Sequence, residues 1–317
     1  MPIPAIGPGR RCEIAAVKLA VTGATGFVGS RLLDAAVADG HQISALARRP
    51  MPPRANVDWV SGSLEQPDAL DRLVAGADAV IHVAGVISGR TAADFDRSNV
   101  DGTQAMIAAA RKAIVKRFVH VSSIAAREPE LSLYGGSKAK SEQLVANSGL
   151  PFAIVRPPAV YGPGDRETLE LFKMAKLGFV LLPPQGRLSL IHADDLARLL
   201  VALATPGAPA GLTIEPDDGR RGGWTHTEFA EALGHAVGRT GLSFSIPSGL
   251  LRFGARADRL LRGDKAKLTA DRAAYFCHPD WVVDPARAVP TDLWQPRIAT
   301  PEGLAATAQW YRAQGWL

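Results

Sequence analysis

Tyr134 and Lys138 stand four residues apart in the stretch YGGSK, at the head of a segment that runs on with helical spacing through Glu142 and Leu144 to Gly149. Four residues is just over one helical turn, so both side chains share a face and the ammonium lies near the phenol. A free tyrosine titrates near pH 10, and a neighbouring cation favours the phenolate, moving the group toward the range where it exchanges a proton at neutral pH. Such a pair also occurs on solvent-facing helices, where it does no chemistry. Ser123 changes that reading. It closes the strand-like run RFVHVSS, and ligands of open α/β sheets gather at the carboxyl ends of strands. A hydroxyl there can hold a carbonyl oxygen while the phenol gives or takes a proton.

The framework that must position these groups is legible from Val17 to about Asp165. Short apolar runs at 18–22, 42–47, 57–61, 79–83, 117–122 and 152–156 alternate with helical segments, the rhythm of a parallel sheet covered on both faces. Val28, Leu32 and Ala36 form one helical stripe, and Gly40 is placed to end that helix in a left-handed turn. The expected fold is therefore α/β, a doubly wound parallel Rossmann-type sheet with a smaller C-terminal α/β lid. Residues 17–165 form the dinucleotide-binding domain, with a strand at Leu188 to Ile191 and a helix from Asp194 (187–204) returning to it. Residues 166–186 and 205–317 form the lid, closed by an amphipathic helix carrying Leu304, Ala308 and Tyr311 on one side. No repeat of 20 to 50 residues is visible.

Between the first strand and the first helix lies TGATGFVG, with glycines at 23, 26 and 29. The first permits a tight turn, the second lets backbone approach a pyrophosphate, and the third lets the helix pack closely, while the helix N-terminus offers N–H donors to phosphate. A three-glycine turn is weak evidence alone, and its place between strand and helix makes it a nucleotide site. Where NAD-binding chains put a ribose-binding carboxylate at the end of the second strand, this one has Ala47 followed by Arg48 and Arg49. A missing acid and two guanidiniums favour the 2′-phosphate of NADP over NAD.

Taken together, TGATGFVG, HVAG at His82 to Gly85, Asn99 in NVDGT, the Ser122-Ser123 pair, YGGSK and RPPAVYGPGD at Arg156 to Asp165 resemble the extended short-chain dehydrogenase/reductase family, of the NAD-dependent epimerase/dehydratase kind. The likeness runs in order from about Val17 to Ala204, with a less informative tail around Trp281. The resemblance implies that Ser123, Tyr134 and Lys138 form the catalytic group. It also implies a dinucleotide touched by Gly23, Thr25, Gly26, Phe27, Val28, Gly29, Arg48, Arg49, Ser63, Leu64, Ala84, Gly85, Lys138 and Pro157. Val86, Ile87, Val160 and Tyr161 are candidates to line the substrate pocket from position alone.

Two departures from the family pattern bear on function. The Gly-Asp-Leu that many members carry after the third strand is Gly62-Ser63-Leu64 here, which weakens or removes an adenine contact. The Asn that grips a nucleotide-sugar diphosphate is replaced by Pro157-Pro158 after Arg156, and proline has neither an N–H nor an amide side chain. That points away from nucleotide sugars and toward an alcohol, ketone or aldehyde. His82 reads as a packed residue under the cofactor, and Asp195 in IHADDLA as a helix cap rather than half of a catalytic pair. Leu250, Leu251, Phe253, Leu260 and Leu261 alternate with Arg252, Arg256, Arg259 and Arg262. Such a basic amphipathic stretch can lie on a membrane surface; a lid with its apolar side over the substrate cleft is the preferred reading.

Composition bounds the rest. The 317 residues, 47% apolar and 21% charged, are those of a globular chain of about two domains with a large core. Cys12 and Cys277 fit no zinc spacing and no disulfide framework, as expected of the reducing cytoplasm, and no metal site is expected. The net charge of +5 is scattered, without the basic stripe and aromatics of a nucleic-acid binder. No apolar run is long enough to span a membrane. Residues 1–16 read as a disordered leader, with Val17 as a natural start. The expected protein is an NADP(H)-dependent oxidoreductase of a small organic substrate, with homodimerisation suggested by its relatives' habits. The alternatives are an NAD-retaining sugar or nucleotide-sugar epimerase or dehydratase, and a cofactor-binding subunit without chemistry.

Overall fold

The computed structural model describes residues 16–240, 242–263 and 270–317. Nearly all of the expected leader, Cys12 included, lies outside the described residues.

In chain order the sheet half comprises β1 (Lys18–Thr22), α1 (Phe27–Ala38), β2 (Gln42–Ala47), β3 (Val57–Ser61), α2 (Pro67–Val74), β4 (Ala79–His82), α3 (Ala92–Phe95), α4 (Gly102–Lys112), β5 (Arg117–Val121), α5 (Leu133–Ala146) and β6 (Phe152–Val155). There follow β7 (Ala159–Tyr161), α6 (Leu169–Lys176), β8 (Phe179–Leu182), β9 (Arg187–Leu188), β10 (Leu190–His192), α7 (Ala193–Ala204), β11 (Leu212–Ile214), β12 (Trp224–Thr225) and α8 (His226–Val237). The C-terminal part adds β13 (Leu242–Ser245), α9 (Ser248–Arg262), α10 (Ala270–Cys277), β14 (Asp280–Trp281) and α11 (Thr300–Ala313).

The main sheet has seven parallel strands in the order β11-β6-β5-β4-β1-β2-β3. This is the doubly wound Rossmann arrangement, with its switch of direction between β1 and β4. Strands β4 and β5 are buried along their whole length because helices cover both faces. On one side α1 and α7 press Leu32, Leu33, Leu199 and Leu200 onto Leu19, Val21 and Ile43; on the other, α2 and α4 press Leu70, Leu73, Met106 and Ile107 onto Ala20, Val80 and Phe118. Leu19 and Val21 against Ala20 display the period of two of a strand buried on both sides. Gly40 ends the first helical unit with φ +81°, the left-handed conformation its position in the sequence suggests.

The strand expected over Leu188 to Ile191 does not join this sheet. It divides at Ser189: β9 pairs with β12 and β14, and β10 pairs with β7. The edge beside β6 is already taken by β11, whose three residues gave no separate strand signal. Helix α7 does return, packing along α1.

A third core fills the lid, built from Tyr161, Phe172, Val180, Leu182, Leu233, Leu304 and Tyr311. The closing helix buries Leu304, Ala308 and Tyr311 completely, as its spacing predicts. Helix α9 departs from the preferred reading. Leu251 is buried beside Ala273 of α10, but Leu250, Phe253 and Leu260 are 62%, 68% and 86% exposed, so the larger apolar face looks outward. No described helix is long and apolar enough to cross a membrane, and no group of potential metal ligands occurs among the described residues.

Candidate active site

The three glycines of the opening turn do different work. Gly23 has φ +72°, and a Cβ on it would sit 2.6 Å from the backbone nitrogen of Ala84. A Cβ on Gly29 would lie 2.0 Å from the Gly23 carbonyl oxygen, so α1 approaches β1 only because that carbon is absent. Gly26 is different: its Cβ would meet only the Gly23 oxygen, at 3.3 Å, and otherwise open space. No side chain caps α1, which leaves the N–H groups of its first turn, at Phe27, Val28 and Gly29, available to an anion. This cradle fits a dinucleotide pyrophosphate.

Thr25 lines an adjoining hollow of about 360 Å³ together with Ala24, Ser30, Arg54 and Trp59. Arg48 and Arg49 follow directly on β2, both exposed, and among the described residues neither is paired with a carboxylate. Ser63 turns inward on its own loop, its N–H donating to Gln66 Oε1 at 3.0 Å and its hydroxyl to Glu65 at 3.3 Å. Leu64 fills the space that a side chain on Gly102 would occupy. Pro157 is buried, and its carbonyl accepts the Ile124 N–H at 3.0 Å, holding the chain just after Ser123.

Beneath the cradle, His82 is fully buried and tied at both ring nitrogens. The Thr103 hydroxyl donates to the Asn99 carbonyl at 2.7 Å, so it accepts from His82 Nε2, 3.1 Å away. Nδ1 is then free to accept from the Thr22 hydroxyl at 2.7 Å, and Thr22 in turn accepts the Ala84 N–H at 3.3 Å. Burial, assisted by the charge of Lys138, lowers the His82 pKa to about 3, which keeps the ring neutral. It ties the ends of β1 and β4 to the start of α4.

Residues 96–101 wind as a π-helix, a widened turn common at functional sites, and it carries Asn99 inward. Asn99 Oδ1 accepts from Val86 N at 2.8 Å, and its Nδ2 donates to Val86 O at 3.0 Å and Ser137 Oγ at 2.9 Å. The backbone of Val86 is thereby fixed beside the cleft, with Ile87 exposed next to it. Gly85 opens the same loop, where a Cβ would come within 3.8 Å of Lys138 Nζ.

Ser123, Tyr134 and Lys138 converge here. Ser123 is buried just past the end of β5; its Oγ accepts from Ala125 N at 3.2 Å, and its side chain lies beside the Tyr134 phenol and acts on its pKa. Ser132 caps α5 by accepting from Gly135 N at 2.9 Å, which sets where Tyr134 begins the helix. Lys138 Nζ donates to the Val121 carbonyl at 2.7 Å. Burial lowers the Lys138 pKa to about 8, with Glu142 opposing the shift.

The phenol departs from the sequence expectation. Burial pushes the Tyr134 pKa up, and only the Ser123 side chain beside it pulls it down. Lys138 Nζ bonds the Val121 carbonyl and is not among the groups acting on the phenol, so desolvation prevails and the neutral form is favoured. Glu142, one turn beyond Lys138, accepts from Ser122 Oγ and from Arg156 Nε and Nη2, the latter two at 2.9 and 2.6 Å.

Aromatic rings that the sequence reading missed wall this cleft. Phe95 lies 6.2 Å from the Tyr134 ring, Tyr275 is stacked on Trp281 at 4.6 Å, and Tyr134, Tyr275 and Trp281 belong to one apolar cluster. Helix α10 is anchored over the site by Asp271, which accepts from the Leu133 N–H immediately before Tyr134. These contacts join distant stretches, and the only signal was the motif around Trp281.

Of the positions expected to line the pocket, Tyr161 is drawn away from it and Val160 is half-buried. Tyr161 is fully buried in the lid core, edge-on to His192 at 5.3 Å, and Val160 packs against the main core. Both lie on β7, whose pairing with β10 draws them into those cores. The cap of α7 also differs from expectation: His192 Nδ1 accepts from Asp194 N at 3.2 Å, while Asp195 holds the N–H groups of Arg297 and Ile298, each at 3.0 Å.

This arrangement sets a phenol, a hydroxyl and an ammonium beside one another at the carboxyl edge of the sheet. The NAD dependent epimerase/dehydratase family matches residues 19–211. A ceramide reductase of Caulobacter vibrioides is 41% identical over 308 residues, spanning 94% of this chain and 96% of that one. A 2-alkyl-3-oxoalkanoate reductase of Stenotrophomonas maltophilia is 31% identical over 327 residues, 91% of this chain and 97% of the other. The solved structure of MoeE5 in complex with UDP-glucuronic acid and NAD superposes with a TM-score of 0.72 at 21% identity, over 94% of this chain and 100% of that chain, a likeness of fold. The chain belongs to the NAD dependent epimerase/dehydratase family and is an NAD(P)-dependent oxidoreductase.

Proposed function

We propose that the protein reduces a ketone borne on a hydrocarbon chain to the alcohol, with NADPH as its cofactor. The observation that carries this reading is the buried Tyr134 phenol beside Ser123, walled by Phe95, Tyr275 and Trp281. NADPH, when bound, supplies the hydride. A tyrosine whose pKa is raised by burial is protonated at neutral pH and so is set to donate to the oxygen of a carbonyl being reduced. Ser123 holds that oxygen, and the Lys138 ammonium, on the same helix face, binds the nicotinamide ribose and favours the proton's departure.

Arg48 and Arg49, exposed at the end of β2 and paired with no carboxylate among the described residues, support the 2′-phosphate form of the cofactor. The names of the two reductase relatives, which refer to a ceramide and to an alkyl-oxoalkanoate, support a chain-bearing substrate. Pro157-Pro158, in place of an amide side chain, weighs against a nucleotide sugar. The test is loss of NADPH absorbance with a panel of 3-oxoacyl lipids, and stabilisation by NADP⁺ against NAD⁺ in thermal unfolding. Conversion without net cofactor consumption favours the epimerase reading and overturns this one.

A further inference from the structure

The outward face of α9 is apolar, and so is the outer face of the lid's two-stranded ribbon that precedes it in the chain. Strands β8 and β13 run parallel with Leu181 opposite Phe244. Val180 and Leu182 point into the lid core, which puts Leu181, Leu242 and Phe244 on the other side, 42%, 68% and 51% exposed. The chain passes directly from β13 into α9, where Leu250, Phe253 and Leu260 fall within one arc of the helix and are exposed in turn. Six large apolar side chains in water on one sub-structure exceed the scattered exposure of an ordinary surface and mark an interaction site.

The charge around this face selects the partner. Residues 239–262 hold five arginines and a single acid, Asp258. A helix with one apolar side in a strongly basic segment is the form that lies in the plane of a bilayer, its apolar residues at the acyl boundary and its cations toward anionic headgroups. A second copy of the chain would bring the same bases against each other.

We propose that the outer face of the β8–β13 ribbon and α9 docks onto an anionic phospholipid bilayer. The position of that face gives the docking a use. Helix α9 packs through Leu251 onto α10, and α10 covers Tyr134 with Tyr275, so a chain-bearing ketone leaving the bilayer beside α9 meets the aromatic wall of the candidate site. This use rests on the reductase reading, whereas the docking does not.

The test is flotation of the full chain with phosphatidylglycerol–phosphatidylcholine vesicles and with pure phosphatidylcholine vesicles. The expected result is binding to the first, weakened by salt, and little to the second. The Phe244→Glu/Phe253→Glu variant, and separately Leu260→Asp, should lower the bound fraction by at least about tenfold while retaining thermal stabilisation by NADP⁺ and turnover of a water-soluble ketone. Failure of the wild-type chain to float with anionic vesicles overturns the proposal. So does a lipid-free dimer in sedimentation that these substitutions dissolve. Vesicle binding without ketone turnover would instead sink the reductase reading and leave the docking intact.

Discussion

Lys138 Nζ donates to the carbonyl oxygen of Val121 at 2.7 Å, so the buried ammonium is held by the end of β5, the strand that also leads to Ser123. The helix bearing Tyr134 and the strand leading to its hydroxyl partner are thus linked through a single charge.

That charge has a pH window. With its pKa lowered to about 8, Lys138 is cationic below that value and neutral above it. The reductase kcat/KM should fall above pH 8, by up to about tenfold per unit. Fold stability moves the other way: the unfolded lysine stays protonated up to its ordinary 10.5, so the unfolded state binds more protons in that interval and the native state gains as pH rises. A pH–rate profile beside urea titrations separates the two, and activity falling together with stability would count against this assignment.

Tyr134→Phe should lower turnover by about 10² to 10⁴, the usual contribution of an acid–base group, with NADP⁺ affinity nearly unchanged. Steady-state rates and calorimetric titration measure both. Retention of most activity would remove Tyr134 from the chemistry.

Gly26→Ala and Gly29→Ala should separate binding from folding. The added methyl at position 29 meets backbone at 2.0 Å, and the substitution should cost about 1–3 kcal/mol of stability. At position 26 it projects into the cradle, so the apo protein should melt nearly as wild type while dinucleotide affinity drops by at least about tenfold.

Arg48→Glu with Arg49→Glu should weaken NADP⁺ by at least about tenfold and leave NAD⁺ little changed, because charge-assisted bonds to the 2′-phosphate are lost. Equal weakening of both cofactors would overturn the proposed preference.

His82 and His120 predict the acid limit. Burial lowers both pKa values, that of His82 to about 3, so each ring is neutral when folded and takes a proton when unfolded below 6.5. Below 6.5 stability should therefore fall with falling pH, by up to about 1.4 kcal/mol per unit for each histidine. Urea midpoints from pH 7 to pH 5 check this, and His82→Gln should flatten the slope.

Much of this protein could be read before its structure. The six strands from β1 to β6 are continuous apolar runs between turn residues, and the glycine turn, Ser123 and the Tyr134–Lys138 pair sit where local spacing puts them. What escaped depends on long-range geometry. Leu212–Ile214 is too short to signal a strand and becomes one because β6 offers an open edge. Tyr161 stands where position alone suggests a pocket, yet the lid packs around it. Tyr275 and Trp281 reach Tyr134 only after the C-terminal segment folds back. The direction of the Tyr134 shift turned on where one ammonium points, which helical spacing does not determine.

The sheet is finished late. Because its last strand is β11 and one of its faces is covered by α7, a fragment stopping at Asp165 would leave the flank of α1 and the rim of β6 bare. During synthesis the nucleotide-binding half must therefore wait for residues beyond 214 to emerge from the ribosome, and a recombinant piece cut at the apparent boundary should aggregate rather than yield a miniature of the whole.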